Sequence, residues 1–337
     1  MKKINIIGAI TRAALSTGGR AKSKFLSVHT MLRTSFCVAG LLCLSLAANA
    51  QSYSIASWGS DNSGQQNLPS PNSSFSAISG GGGHTMALRA GAVLAWGGNN
   101  VGQCNVPATA FSGVSTIAAG NSHSLALKNG SVLAWGWNAF GQCIVPGANK
   151  SFVGISGGRE HSVGIKSGGT VVCWGRNNYG QCSPPGNLKN VVAVSGRFDH
   201  NLALRSDGSI VAWGRNDFGQ RNVPNPNSGF TAVATGGFFE GFSMGLQWNG
   251  NIVVWGSNNY GQNAVPPILE SGVVYVAIAA GNYHCMALRS DGVVVCWGGG
   301  MFNTGVIPEF GQSDVPDLLS GVVGISAGGN HSLAILP

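Results

Sequence analysis

A Trp-Gly pair recurs seven times along this chain, at Trp58, Trp96, Trp135, Trp174, Trp213, Trp255 and Trp297, in steps of 38, 39, 39, 39, 42 and 42 residues. Six residues after each of the first six Trp comes a Gly-Gln pair, beginning at Gly64, Gly102, Gly141, Gly180, Gly219 and Gly261. The seventh Gly-Gln starts at Gly311, so the last unit carries eight extra residues, around Met301–Pro308. Self-similarity at a fixed period near forty restricts the chain to a solenoid, a propeller or an array. The prior of two domains for 337 residues gives way to that repeat.

Each unit reads as short strands. A β-branched run such as Val191-Val192-Ala193-Val194 leads into a Gly-rich turn. An alternating segment follows, HSLAL at His123–Leu127, HNLAL at His200–Leu204 and HCMAL at His284–Leu288. Period-two alternation predicts a strand with one buried face. The dipeptides Asn129-Gly130, Asp207-Gly208, Asn249-Gly250 and Asp291-Gly292 predict tight type I′ hairpins, since both tolerate positive φ. The return strand ends in the Trp, and a WGxNxxGQxxVP loop closes the unit, leaving room for a short fourth strand near the Val-Pro. No stretch has helical periodicity.

Short antiparallel sheets repeated seven times predict an all-β fold, a seven-bladed β-propeller of 38–42-residue repeats. The competitor is a linear β-solenoid, whose repeats are usually shorter. The chain ends decide between them. Trp58 has no His-bearing strand before it, and His331–Ile335 has no Trp strand after it. A ring closed by pairing of the N- and C-terminal segments repairs both deficits. Residues 322–337 are therefore expected to be indispensable to the whole domain.

The formal net charge of +8 is misleading. Residues 1–50 hold seven of the nineteen basic residues and none of the acidic ones, which leaves twelve basic against eleven acidic, a net of +1, for residues 51–337. A phosphate-backbone binder needs a basic patch, so no nucleic-acid partner is expected. Residues 1–50 read as a leader. Met31–Ala50 carries a basic Arg33, an apolar run and a small-residue ending, Ala48-Asn49-Ala50, as in a cleaved secretory signal. Residues 1–30 are either an unused upstream start or a transit extension. The propeller is assigned to residues 51–337, with no membrane span in the mature chain. A secreted or extracytoplasmic location is expected, an organelle lumen reached through a bipartite leader being the alternative.

Six cysteines follow the leader. Cys285 and Cys296 flank the turn Ser290-Asp291-Gly292, and Cys173 and Cys182 form a second candidate pair; free buried thiols are the alternative. No CxxC pair suggests zinc.

WGxNxxGQ followed by GxxHSxAL and a short hairpin resembles the regulator-of-chromosome-condensation repeat family, which forms seven-bladed propellers. The short period is similar to that of the secreted beta-lactamase inhibitor protein II group, and more loosely to the extracellular repeats of Crinkly4-type receptor kinases. The resemblance covers about residues 52–337. It implies binding of a protein through one loop face, with inhibition of a hydrolase or a recognition role. Guanine-nucleotide exchange on a small GTPase is the alternative that the family implies; binding of a glycan or cell-wall polymer is a third reading. The inhibitor-like relatives imply aromatic contacts just before the His, at Gly83, Ser122, Glu160, Asp199, Tyr283 and Asn330 here, of which Tyr283 alone is aromatic.

No enzyme is expected. His84, His123, His161, His200, His284 and His331 occupy one repeat position, with Phe242 in the remaining unit. A residue repeated in this way serves each unit's own bonding. No HxH or HxxxH spacing suggests a metal, no GxSxG a nucleophile, and no phosphate loop a cofactor. Within the WGxNxx loops, Trp137, Arg176 and Arg215 take a position that varies between units and is free of the repeat's structural demands. With Phe238, Phe239 and Tyr283 they are the candidate partner-binding residues, of the types that dominate hot spots. Phe140, Tyr179, Phe218 and Tyr260 recur before Gly-Gln and read as packing residues. A monomer is expected.

Overall fold

The structure is a computed structural model, and it describes residues 52–317 and 319–337. The expected signal at 31–50 and the 1–30 extension lie outside the described residues.

Seven antiparallel three-stranded sheets carry the repeat. Blade 1 is Phe75–Gly80, His84–Arg89 and Ala92–Gly97; blade 2 is Val114–Ala119, His123–Lys128 and Ser131–Gly136. Blade 3 is Phe152–Gly157, His161–Lys166 and Val171–Gly175; blade 4 is Val191–Arg197, His200–Arg205 and Ile210–Gly214. Blade 5 is Phe230–Gly236, Phe242–Gln247 and Ile252–Gly256; blade 6 is Tyr275–Ala280, His284–Arg289 and Val294–Gly298. Blade 7 takes Gly324–Ala327 and His331–Leu336 from one end of the domain and Ser54–Gly59 from the other. Ser54 pairs with Leu336 and Gly59 with His331, so the last middle strand is held by the first strand of the domain. The ring closure expected from the half-unit offset is present.

The core lies between blades. Seven apolar clusters each join one blade to the next, Met86, Ile117 and Trp135 between blades 1 and 2, and Ile55, Phe75 and Leu333 between blades 7 and 1. Middle strands such as His123–Lys128 are buried along five of six residues because a neighbouring sheet covers each face. Outer strands are less buried, as in Ser131–Gly136, where Val132 and Trp135 alone are buried.

The repeated polar residues latch each blade to the one before. Trp135 Nε1 donates to the Gln103 carbonyl at 2.9 Å, and Ser124 Oγ donates to the same oxygen at 2.8 Å. The equivalent Trp bonds recur at Trp58, Trp96, Trp174, Trp213, Trp255 and Trp297. Each buried imidazole then reaches forward by Nε2: His84 to Ser124 (3.1 Å), His123 to Ser162 (2.9 Å), His161 to Asn201 (2.7 Å) and His200 to Ser243 (3.0 Å). His284 meets Ser332 at 3.1 Å and His331 meets Thr85 at 3.1 Å, across the closure. Buried polar groups need such partners, and these bonds run the same way round the ring.

Three expectations are corrected. No fourth strand forms in the described blades. Asn72, Asn149 and Asn227 instead pair their side-chain amides with both backbone groups of Ile55, Val132 and Ile210, at 2.7–3.0 Å, which closes part of an exposed edge. Of the four hairpins only Asn129-Gly130 has positive φ at both central residues, +50° and +74°. At Asp207-Gly208 only Gly208 does, and Arg205 N–H donates to Ser209 across three intervening residues, a type I turn ended by a left-handed Gly. The six described cysteines are free, and Met286, not Cys285, stands opposite Cys296, so Cys285 and Cys296 leave opposite faces of their sheet. Cys173 and Cys182 are likewise unbridged.

The eight-residue insertion forms a small hairpin, Asn303–Val306 with Glu309–Phe310, whose Met301, Phe302, Val306 and Ile307 are exposed. No helix of the described residues is long and apolar enough to cross a membrane.

Candidate partner-binding face

Two loop families emerge at the same edge of each blade. The turn before the His follows the inner strand, and the loop after the Trp follows the outer one. They are bonded to each other: Trp137 N–H donates to Ser122 O at 2.9 Å, Arg176 N–H to Glu160 O at 2.9 Å, and Arg215 N–H to Asp199 O at 2.8 Å. The motif residues hold the second loop rigid. Asn138 Oδ1 accepts from Cys143 N–H at 2.8 Å and Gln142 Oε1 from Phe140 N–H at 3.0 Å, with counterparts at Asn177, Gln181, Asn216 and Gln220. Side chains at the loop tips are therefore displayed on a fixed frame.

The display is densest over blades 3 to 5. Phe198 sits at φ +47°, a left-handed conformation rare for a bulky residue, and is buried. Its ring lies 6.0 Å from Phe238 and 5.8 Å from Phe239, and those two are 4.4 Å apart, nearly perpendicular. Phe239 remains 58% exposed on top of this base. Arg159 lies over the Phe198 ring at 4.8 Å, and Arg215 over Tyr179 at 4.8 Å. Arg176 covers Phe140 at 5.1 Å and is bonded to Glu160. Arg215 meets Asp217 at 2.6 Å and Asp199 at 4.0 Å. Burial raises the Asp199 carboxyl, while Arg159, Arg176 and Arg215 draw it back down. The result is an aromatic mound set in paired charge.

Of the sequence-selected residues, Trp137 is 38% exposed and Phe239 more so, while Phe238, Arg176 and Arg215 are half-buried within the mound. Tyr283 is a correction. It is buried, with its ring 4.9 Å from Tyr260, so it supports the face instead of presenting itself. Phe140, Tyr179 and Phe218 are corrections in the other direction, because they stand 37–43% exposed. Sequence reasoning passed over Phe198 and Arg159. Both stand two before the His, where other units have Gly82, Asn121, Asn282 and Gly329, and that departure was the available signal.

Burial shifts the titratable groups that the repeat carries. Burial lowers the imidazoles, His84 and His161 to about 4 and His123, His200, His284 and His331 to about 3. Burial raises the Cys104 and Cys143 thiols to about 11, which keeps them protonated. Among the described residues no group of three His, Cys, Asp or Glu is placed to hold a metal. Exposed aromatics flanked by guanidinium groups are suited to recognition.

Four stretches, residues 114–142, 152–181, 191–220 and 275–302, match the regulator of chromosome condensation (RCC1) repeat. No curated protein matches the chain. Among solved structures, Prp20p from Saccharomyces cerevisiae superposes with a TM-score of 0.70 at 21% identity, over 85% of this chain and 92% of that one. Human WBSCR16 gives 0.66 at 20% identity, over 86% and 99%. The ectodomain of the Physcomitrella patens receptor kinase CR4 gives 0.58 at 19% identity, over 74% and 67%. At these identities the likeness establishes the fold, an RCC1-like propeller.

Proposed function

We propose that this RCC1-like propeller is an exported, non-catalytic module that binds another protein through its loop face. The observation that carries the reading is Phe239, 58% exposed on a base of Phe198 and Phe238, with Arg159 and Arg215 over the Phe198 ring. A rigid aromatic anchor beside guanidinium groups is the composition of a binding hot spot. The yeast Prp20p structure is described with that protein's binding to Gsp1p and histones, and Kap60 has been seen bound to it. Partner binding by a propeller of this type supports the same use here. Covering the cleft of a hydrolase is the form of binding we put first.

The test is capture from the extracellular fraction of the source cells. Wild type is compared with a Trp137→Ala, Phe239→Ala variant and with Trp248→Ala, which alters an exposed Trp at the opposite, hairpin-turn edge of blade 5. One protein held by wild type and Trp248→Ala but lost by the loop-face variant supports the proposal. Equal capture by all three, or capture of polysaccharide alone, overturns it. Accelerated nucleotide release from a small GTPase would favour the exchange reading.

A further inference from the structure

The inner strands of the seven blades surround a cavity of about 70 Å³. Its polar lining is Ser79, Ser156, Ser195, Thr235 and Ser326, together with the side chain of Arg197. Arg197 ends the inner strand of blade 4 and donates from Nη2 to Asn282 Oδ1 in blade 6, at 3.1 Å. It also borders a smaller space beside Phe198 and Phe238, so the guanidinium stands between the cavity and the loop face.

Arg197 has no ion pair among the described residues; the bridges there belong to Arg159, Arg176, Arg215 and Arg289. Burial pulls its guanidinium down to about 10, and no carboxylate opposes that effect. A partly buried cation without a counter-charge is unfavourable, and a guanidinium offers five donors, of which the Asn282 amide uses one. The hydroxyls add donors of the same kind. Ser79 Oγ accepts from Ala119 N–H at 2.9 Å, Ser156 Oγ from Gly196 N–H at 2.9 Å, and Ser326 Oγ from Gly80 N–H at 3.1 Å. With the oxygens used as acceptors, each O–H is left over as a donor. Ser195 and Thr235 bond each other at 2.9 Å, which consumes one O–H of their two.

We propose that this axial cavity binds a small tetrahedral oxyanion, of the phosphate or sulfate class, on Arg197 and the surrounding hydroxyls. The guanidinium and the hydroxyls can all donate there, and no lining side chain carries negative charge. A planar guanidinium matches two oxyanion oxygens at once, which a halide cannot exploit. The space is far below the roughly 300 Å³ at which organic-ligand pockets begin. Because all seven inner strands contribute to the lining, the anion would tie the blades at the axis and couple ring stability to anion concentration.

The experiment is calorimetric titration of the purified protein with inorganic phosphate and with sulfate, against chloride at equal ionic strength, alongside thermal melting. A saturable, one-to-one heat and a rising Tm with an oxyanion but not with chloride are expected. Arg197→Lys should weaken binding at least tenfold, and Arg197→Gln should abolish the saturable phase. Lys189→Gln, at an exposed position away from the cavity, should leave it unchanged. No saturable heat in wild type, or wild-type affinity in Arg197→Gln, overturns the proposal, as does loss of binding in Lys189→Gln alone. If Arg197→Gln fails to fold, Ser79→Ala with Ser326→Ala replaces it: a tenfold loss supports the site, and unchanged affinity overturns it.

Discussion

Phe242 and Cys285 lie in one apolar cluster at the junction of blades 5 and 6, where the other junctions carry a His Nε2 bonded to a hydroxyl or amide of the next blade. Both partners have changed together, His to Phe and hydroxyl to thiol, so neither is left as an unsatisfied buried polar group.

That pairing sets a double-mutant test. Phe242→His alone should destabilise by about 3 kcal/mol or more, through lost packing and an imidazole without its acceptor. Cys285→Ser alone should cost about 1 kcal/mol or less, because its hydroxyl can reach the Gln262 carbonyl that the thiol approaches at 3.8 Å. The double variant should recover about 1–2 kcal/mol relative to the sum. Denaturant midpoints of the four proteins give the coupling; strict additivity would contradict the latch.

The six buried imidazoles set an acid limit. Their folded pKa values, about 3 to 4, lie below the unfolded value of 6.5. Below pH 6.5 the unfolded chain therefore binds more protons, and stability falls as pH drops toward the folded values. Each site contributes about 1.4 kcal/mol per pH unit, so six approach about 8 kcal/mol per unit, comparable with a whole domain's net stability. Cooperative unfolding with proton uptake is expected between about pH 6 and 4. A Tm that is constant from pH 7 to 5 would contradict it.

Removing residues 322–337 deletes two strands of blade 7 and takes the partners from His284 and Thr85. The expected outcome is loss of the cooperative melt of the entire domain. A truncated protein melting at the wild-type temperature would mean that six blades suffice.

Asn149→Ala strips two bonds from the edge of blade 2 at Val132. Stability should drop by about 1–2 kcal/mol in urea with an unchanged m-value, since no core is disturbed.

The fold was legible because the same bonds recur. The bond from Trp135 to the Gln103 carbonyl recurs in all seven blades, and that from His123 to a hydroxyl or amide of the next blade in six, so their spacing in the chain records a spacing in space. The turns were less legible. Asp207-Gly208 looks like Asn129-Gly130 in sequence, yet the strands stop at Arg205 and Lys128 respectively, and one added loop residue changes the turn type. Of the candidate face, variation at Trp137, Arg176 and Arg215 pointed to loops that lie on one bonded edge of the blades. Depth was not legible, because Tyr283 is buried beside Tyr260 whereas Phe140 stays 43% exposed under Arg176. Phe198 escaped notice because its role requires a left-handed backbone that no dipeptide signal announces.

The way blade 7 is assembled also fixes how the domain answers to mechanical load. Its first and last strands are antiparallel neighbours with Ser54 opposite Leu336, so the two chain ends leave from the same end of the pair. Tension applied at those ends opens the strand bonds one after another, like a zipper, in place of shearing them all together. A ring held at seven junctions is thus open to peeling at a single seam, and Ser54–Gly59 is the first segment to lift.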